Sequence, residues 1–170
     1  ATRLLVFAGS TRAGSINPKL AATAARMAES GGAQVTLLDL ADHELPIYHG
    51  DLEARGFPAT ALHLKEIFYT HEAWLIACPE YNGSYPALLK NTLDWASRPV
   101  PNHPQWQDGR KPFAGKVVGV LSASNGVLAG LRGQSHLLPL LMNLGAWVAP
   151  KQFGLAKADE AFDPDGQLAT

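Results

Sequence analysis

Three short stretches of this chain carry residues whose types and spacing suit chemistry. The first, Gly9-Ser10-Thr11-Arg12-Ala13-Gly14-Ser15-Ile16-Asn17, joins two glycines, several hydroxyl groups and an arginine to a proline that can open a helix. These are the parts of an anion site. Glycines let backbone amides point into a concavity, a helix start adds about half a positive charge, and a guanidinium donates paired bonds to phosphate oxygens. The second, Pro79-Glu80-Tyr81-Asn82-Gly83-Ser84-Tyr85-Pro86, sets aromatic rings, an amide and a glycine between two prolines. Prolines narrow the loop's freedom, so its free amides can be held ready for the carbonyls and nitrogens of a flat polar ring. The third, Ser122-Ala123-Ser124-Asn125-Gly126, is small enough for backbone to approach a ligand closely. Each also has a plainer reading: a polar turn capped by Ser15 and Asn17, an Asn-Gly turn before a helix, and a small polar loop.

The elements that would position these stretches follow from hydrophobic patterning. Arg3 to Ala8 is a short apolar run bounded by the Gly9 turn, which predicts a buried strand. Asn17-Pro18 is a helix-start signal, so a helix is expected from Pro18 to about Ser30, where Gly31-Gly32 stops it. Gln34 to Leu40 gives a second strand, and Ala41 to Ala59, with two prolines and two glycines, a long connection. Thr60 to Thr70 is expected as a helix, Ala73 to Cys78 as a third strand and Pro86 to Ser97 as a third helix. Arg98 to Gly115, with four prolines, reads as a surface crossing before a fourth strand at Lys116 to Leu121. A Leu-rich helix from Leu131 to Leu144, kinked or shortened at Pro139, leads to a fifth strand near Trp147.

Strands that are apolar throughout and alternate with helices describe a parallel sheet covered on both faces, a doubly wound α/β fold in one domain spanning residues 1–170. In such a sheet the ligand crevice lies at the carboxyl ends of the strands, where the strand order reverses. All three candidate stretches fall at that edge. Together they favour a phosphorylated ring compound.

Composition narrows the function classes. Lys and Arg number 14 against 15 acids, for a net charge of −1, so no basic stripe is offered to a nucleic acid. No apolar run reaches the roughly 20 residues a bilayer requires, and a cytoplasmic, membrane-free protein is the simplest expectation. The lone Cys78 cannot form an internal disulfide and ends a buried strand, where it reads as a small apolar residue rather than a nucleophile. The six histidines show no His-Glu-x-x-His pairing, so no metal site is expected. Neither a Gly-x-Gly-x-x-Gly fingerprint nor a Walker loop occurs, which disfavours ATP and a standard dinucleotide site. Asp39 ends the second strand where a ribose-binding acid would sit, but without that fingerprint it reads as a helix cap or a loop residue.

The motifs Gly9-Ser10-x-Arg12-x-x-Ser15-x-Asn17, Pro79-Glu80-Tyr81-Asn82-Gly83-Ser84 and Lys90-Asn91-x-x-Asp94-Trp95 resemble those of the NADPH-dependent FMN reductase family, which includes quinone, chromate and azo-compound reductases. The resemblance extends to about Gly145-Ala146; Leu128 to Arg132 and Pro139 depart from the pattern. It implies a flavodoxin-like, three-layer fold with five parallel strands in the order 2-1-3-4-5. It also implies FMN as cofactor, NADPH or NADH as electron donor, and a small acceptor such as a quinone, free flavin, azo dye or metal oxyanion. Carried residue by residue, Ser10, Arg12, Ser15 and Asn17 would hold the FMN phosphate; Pro79, Glu80, Tyr81, Asn82 and Gly83 would line the isoalloxazine; Ser122, Ser124 and Gly126 would complete the pocket. The flavin would carry the chemistry in a two-step cycle on one open ring face, with no protein nucleophile. A homodimer or homotetramer is implied, with Trp95 and Trp106 as candidates for the interface or for ordinary core. The rival expectations are a flavodoxin-type electron carrier, which the near-neutral charge disfavours, and a nucleotide-binding hydrolase or transferase without flavin.

Overall fold

The computed structural model describes residues 1–169. Its strands are β1 (Arg3–Ala8), β2 (Gln34–Leu38), β3 (Ala73–Ala77), β4 (Val117–Ala123), β5 (Trp147–Val148) and β6 (Phe153–Leu155). Its helices are α1 (Ile16–Ser30), α2 (Gly50–Arg55), α3 (Ala59–Thr70), α4 (Ala87–Ala96), α5 (Leu131–Asn143) and α6 (Ala158–Ala161). All strand pairs are parallel and the order is β2-β1-β3-β4-β5, with β6 also on β4. This is the flavodoxin-like arrangement expected above.

The fifth strand differs from expectation because it comes in two pieces. Ala149 to Gln152 lie opposite only Gly119 and Val120 of β4, so the edge bulges before Phe153 rejoins at Leu121. Pro150 lies inside this bulge, where a residue with no N–H to donate to the ladder is tolerated. The connection after β2 is also more ordered than its composition suggests. Asp39 accepts the N–H of Ala41 at 2.9 Å and caps a 3-10 turn over Leu40–Asp42, as its capping role predicts.

Alternation along the strands sorts the core. Leu5, Phe7, Trp74, Ile76, Val118 and Val120 face α3, α4 and α5, where Phe68 stacks on Phe7 and tilts against Trp74 at 4.9 Å. Val6, Ala8 and Ala77 face α1, whose Ala21 and Ala25 let it lie close to the sheet. Pro139 sits within α5, which runs through it. Trp95 and Trp106, candidates for an interface, are both buried within this chain, and Trp95 Nε1 donates to the Pro46 carbonyl at 2.7 Å.

Trp106 and Phe57 instead enclose Lys65, whose Nζ lies 5.7 and 5.9 Å from their ring centres and donates to the Ala96 carbonyl at 2.7 Å. Burial pushes this ammonium down to about 8, against the opposing pull of Asp108. The ammonium thereby satisfies a carbonyl at the C-terminal end of α4, where a positive charge is favoured.

Candidate active site

The crevice expected at the strand ends is present. A cleft of about 180 Å³ is walled by Ser10, Arg12, Ser15 and Asn17 on one side, by Pro79, Glu80 and Tyr81 on another, and by Ala123, Ser124 and Asn125 on the third. Three loops drawn from a span of more than a hundred residues thus meet at one point.

The first wall is built to leave donors free. α1 begins two residues earlier than expected, at Ile16, because Ser15 takes the extended cap conformation (φ −62°, ψ 141°). The Ser15 hydroxyl makes no capping bond, and no acidic residue stands in the first turn. Among the described residues, the backbone N–H groups of Ile16 and Asn17 have no hydrogen-bond partner, and neither do those of Thr11, Ala13 and Gly14. The guanidinium of Arg12 makes a single bond, to the Ala13 carbonyl at 3.2 Å. Free donors, a helix dipole and a movable guanidinium fit a phosphate monoester.

Asn17 was expected as a helix cap and a side-chain phosphate ligand; its side chain is used elsewhere. It is buried and exchanges two bonds of 3.0 Å with the backbone of Ala123, Nδ2 donating to the carbonyl and Oδ1 accepting from the N–H. A side-chain amide thus copies a strand pairing and ties the phosphate wall to the end of β4. Ser10 is buried, its hydroxyl accepting from the Arg12 N–H at 3.4 Å.

The second wall is a closed hairpin. Tyr81 and Ser84 exchange backbone bonds of 2.8 and 3.0 Å around Asn82 (φ 51°) and Gly83 (φ 76°), the left-handed pair that Asn-Gly adopts most readily in a tight turn. The N–H groups of Asn82 and Gly83 are left without a partner among the described residues. Glu80 does not present its carboxylate to the cleft as a free charge. It accepts from Arg132 Nε at 2.7 Å and from the Arg132 backbone N–H at 3.2 Å, at the start of α5. His136 shares a 3.0 Å bond with the Ser84 hydroxyl.

On the third wall the three expected residues are placed differently. Ser122 belongs to β4, is fully buried and is bonded to the Ala129 carbonyl and to Gln134, so it braces the wall from behind. Gly126 lies outside the cleft lining, and its N–H is taken by the Ser124 hydroxyl at 3.1 Å. Ser124 does line the cleft. Cys78 is fully buried, and burial, with the nearby Glu80, pushes its thiol up to about 12; it is the inert residue expected.

Reading the sequence missed the residues of α5 that hold the hairpin. Gly133 faces the second wall so closely that a Cβ there would meet the Pro79 and Ser84 carbonyl oxygens at 3.2 Å. Gln134 is buried and donates to the Phe153 carbonyl at 2.7 Å, fixing the start of β6. A glycine in the first turn of a helix, followed by a glutamine on its buried side, was the available signal.

Fold and site together define a flavodoxin-like protein with a strand-end crevice where three polar loops meet. The family model for NADPH-dependent FMN reductases matches residues 2–160. An NAD(P)H-dependent FMN reductase of Pseudomonas aeruginosa is 35% identical over 167 residues, covering 98% of this chain and 84% of that protein. A quinone reductase of Escherichia coli K12 is 37% identical over 150 residues, covering 88% of this chain and 74% of that one. Among solved structures, the flavoenzyme NAD(P)H:acceptor oxidoreductase FerB from Paracoccus denitrificans superposes with a TM-score of 0.79 at 32% identity, covering 99% of this chain and 86% of that one. The chain belongs to the NADPH-dependent FMN reductase family and is an FMN-dependent NAD(P)H oxidoreductase.

Proposed function

We propose that the strand-end cleft holds FMN, with Arg12 and the free N–H groups at the start of α1 on its phosphate and the 79–84 hairpin and Ser124 along its ring. The observation that carries this assignment is the meeting of three loops at one cleft whose donors lack protein partners. Held there, FMN would supply the hydride-accepting and electron-donating chemistry that links a reduced nicotinamide nucleotide to a small acceptor.

The protein's part is to bind, orient and shield. Arg12 and the amides of Ile16 and Asn17 neutralise the phosphate, while the unpaired N–H groups of Asn82 and Gly83 supply donors for ring carbonyls that gain negative charge on reduction. The Glu80–Arg132 pair keeps the hairpin still, so these donors need not reorganise. Tyr81, half exposed, leaves one side of the cleft open for donor and acceptor in turn. The quinone reductase relatives support a quinone-type acceptor, with azo dyes and metal oxyanions as other small acceptors.

The assembly is a homodimer or homotetramer in this reading, supported by the exposed Val127, Leu128 and Leu131 beside the cleft. No helix among the described residues is long and apolar enough to cross a membrane. A cytoplasmic compartment, where a lone thiol stays reduced, suits the chemistry. The test is the visible spectrum of FMN-reconstituted protein before and after anaerobic NADPH, with NADH in parallel. Bleaching of the bound-flavin band is expected, whereas bound flavin that neither nucleotide reduces would leave an electron carrier.

A further inference from the structure

The loop that bears the phosphate donors has a second hollow behind it. A cavity of about 280 Å³ opens between α1 and β2, with Ser10 and Arg12 in its wall as they are in the wall of the cleft. Its size is close to the lower bound of small-molecule pockets, about 300 Å³. Ala8, Pro18, Ala21 and Leu37 give it an apolar floor, and Asp39 stands at its edge. Leu37 is 54% exposed although it belongs to a strand. An open apolar side chain beside a polar rim is what a flat heterocycle can cover.

Asp39 supplies the polar specificity. Its Oδ1 accepts the Ala41 N–H, while among the described residues Oδ2 has no partner. A carboxylate oxygen at the end of a second strand accepts well from ribose hydroxyls, and it repels a phosphate placed on the same ribose. The shared Ser10–Arg12 wall puts this cavity on the other side of the loop that bears the phosphate donors.

We propose that this cavity takes the adenosine 5′-phosphate half of a dinucleotide whose ribose carries free 2′ and 3′ hydroxyls. The inference rests on the assignment of the flavin phosphate to the 10–17 loop. Two dinucleotides present that chemistry, FAD in place of FMN, or NADH as donor with FMN in place; the 2′-phosphate of NADPH does not fit it.

Calorimetric titration of the FMN-loaded protein with 5′-AMP, and separately with adenosine 2′,5′-bisphosphate, tests it. Binding of AMP at least tenfold tighter than the bisphosphate is expected. In Asp39→Asn, whose side-chain oxygen can still cap Ala41, that gap should close; Leu37→Glu, at an exposed position, should weaken AMP at least tenfold. FAD binding the apoprotein at least tenfold tighter than FMN would assign the adenosine to the flavin. FAD no tighter than FMN, with AMP displacing NADH, would assign it to the donor. No AMP binding at millimolar concentration while FMN binds normally would overturn the proposal, as would bisphosphate binding equal to AMP. Failure of FMN itself to bind would remove the phosphate assignment and this inference with it.

Discussion

Between Ser10 and Asn17 the backbone leaves at least five N–H groups, those of Thr11, Ala13, Gly14, Ile16 and Asn17, without partners among the described residues, and the Arg12 guanidinium has one bond there, at 3.2 Å. Across the cleft, Pro79 to Pro86 is closed on itself: the hairpin pairs Tyr81 with Ser84, α5 clamps Glu80 through Arg132, and His136 holds Ser84. The first wall is a set of donors waiting for an anion. The second is a closed shape, with the turn amides of Asn82 and Gly83 among those left spare. A charged phosphate is recognised by free charge and dipoles, which tolerate adjustment, whereas a planar ring whose electronics must be tuned needs donors fixed before it arrives.

That contrast can be broken at specific residues. The largest effect is expected at Asn17, which joins the phosphate wall to β4. Asn17→Leu strips partners from a buried N–H and a buried carbonyl of Ala123, and urea unfolding should show a loss of about 2–4 kcal/mol. On the closed wall, Gly133→Ala presses a methyl onto the Pro79 and Ser84 carbonyls, and thermal unfolding should show a cost of about 1–3 kcal/mol. A stabilisation of about 1 kcal/mol, the usual result of that change within a helix, would mean that the hairpin is not held against α5.

The smallest effect is at Lys65, under the end of α4 remote from the hairpin that precedes its first turn. With the folded ammonium pushed down to about 8 against an ordinary 10.5, its charge destabilises the fold below the lower value, and that cost fades as pH rises towards the upper one. Wild type should therefore gain about 1 kcal/mol between pH 7 and pH 9 relative to Lys65→Met in parallel denaturant titrations. FMN affinity should follow neither protein's gain, since Lys65 touches no wall of the cleft.

Strand and helix positions were legible because they rest on runs of apolar residues whose period belongs to the chain itself: β1 agrees to the residue, and α3, α4 and α5 to within one or two at either end. What depended on distant partners was not legible. Asn17-Pro18 looks locally like a cap and a helix start, but Ala123, more than a hundred residues away, takes the side chain and Ser15 becomes the cap position. Ser122 looks like part of a loop only until Gln134 and Ala129 are placed behind it. Trp95 and Trp106 read equally well as surface or core until the 98–115 crossing is seen folded over Lys65. Asn82-Gly83 was readable both as a turn and as part of a site, and its geometry makes it a turn whose outer amides remain available.

Recognition of a phosphate by the 10–17 wall is tested most directly by titrating wild type and Arg12→Ala with both FMN and riboflavin. Loss of a charge-assisted contact worth about 1.5–3 kcal/mol predicts FMN binding weakened roughly 10-fold to 100-fold in Arg12→Ala, with riboflavin binding unchanged. An equal loss for both ligands, or no loss for FMN, would contradict it.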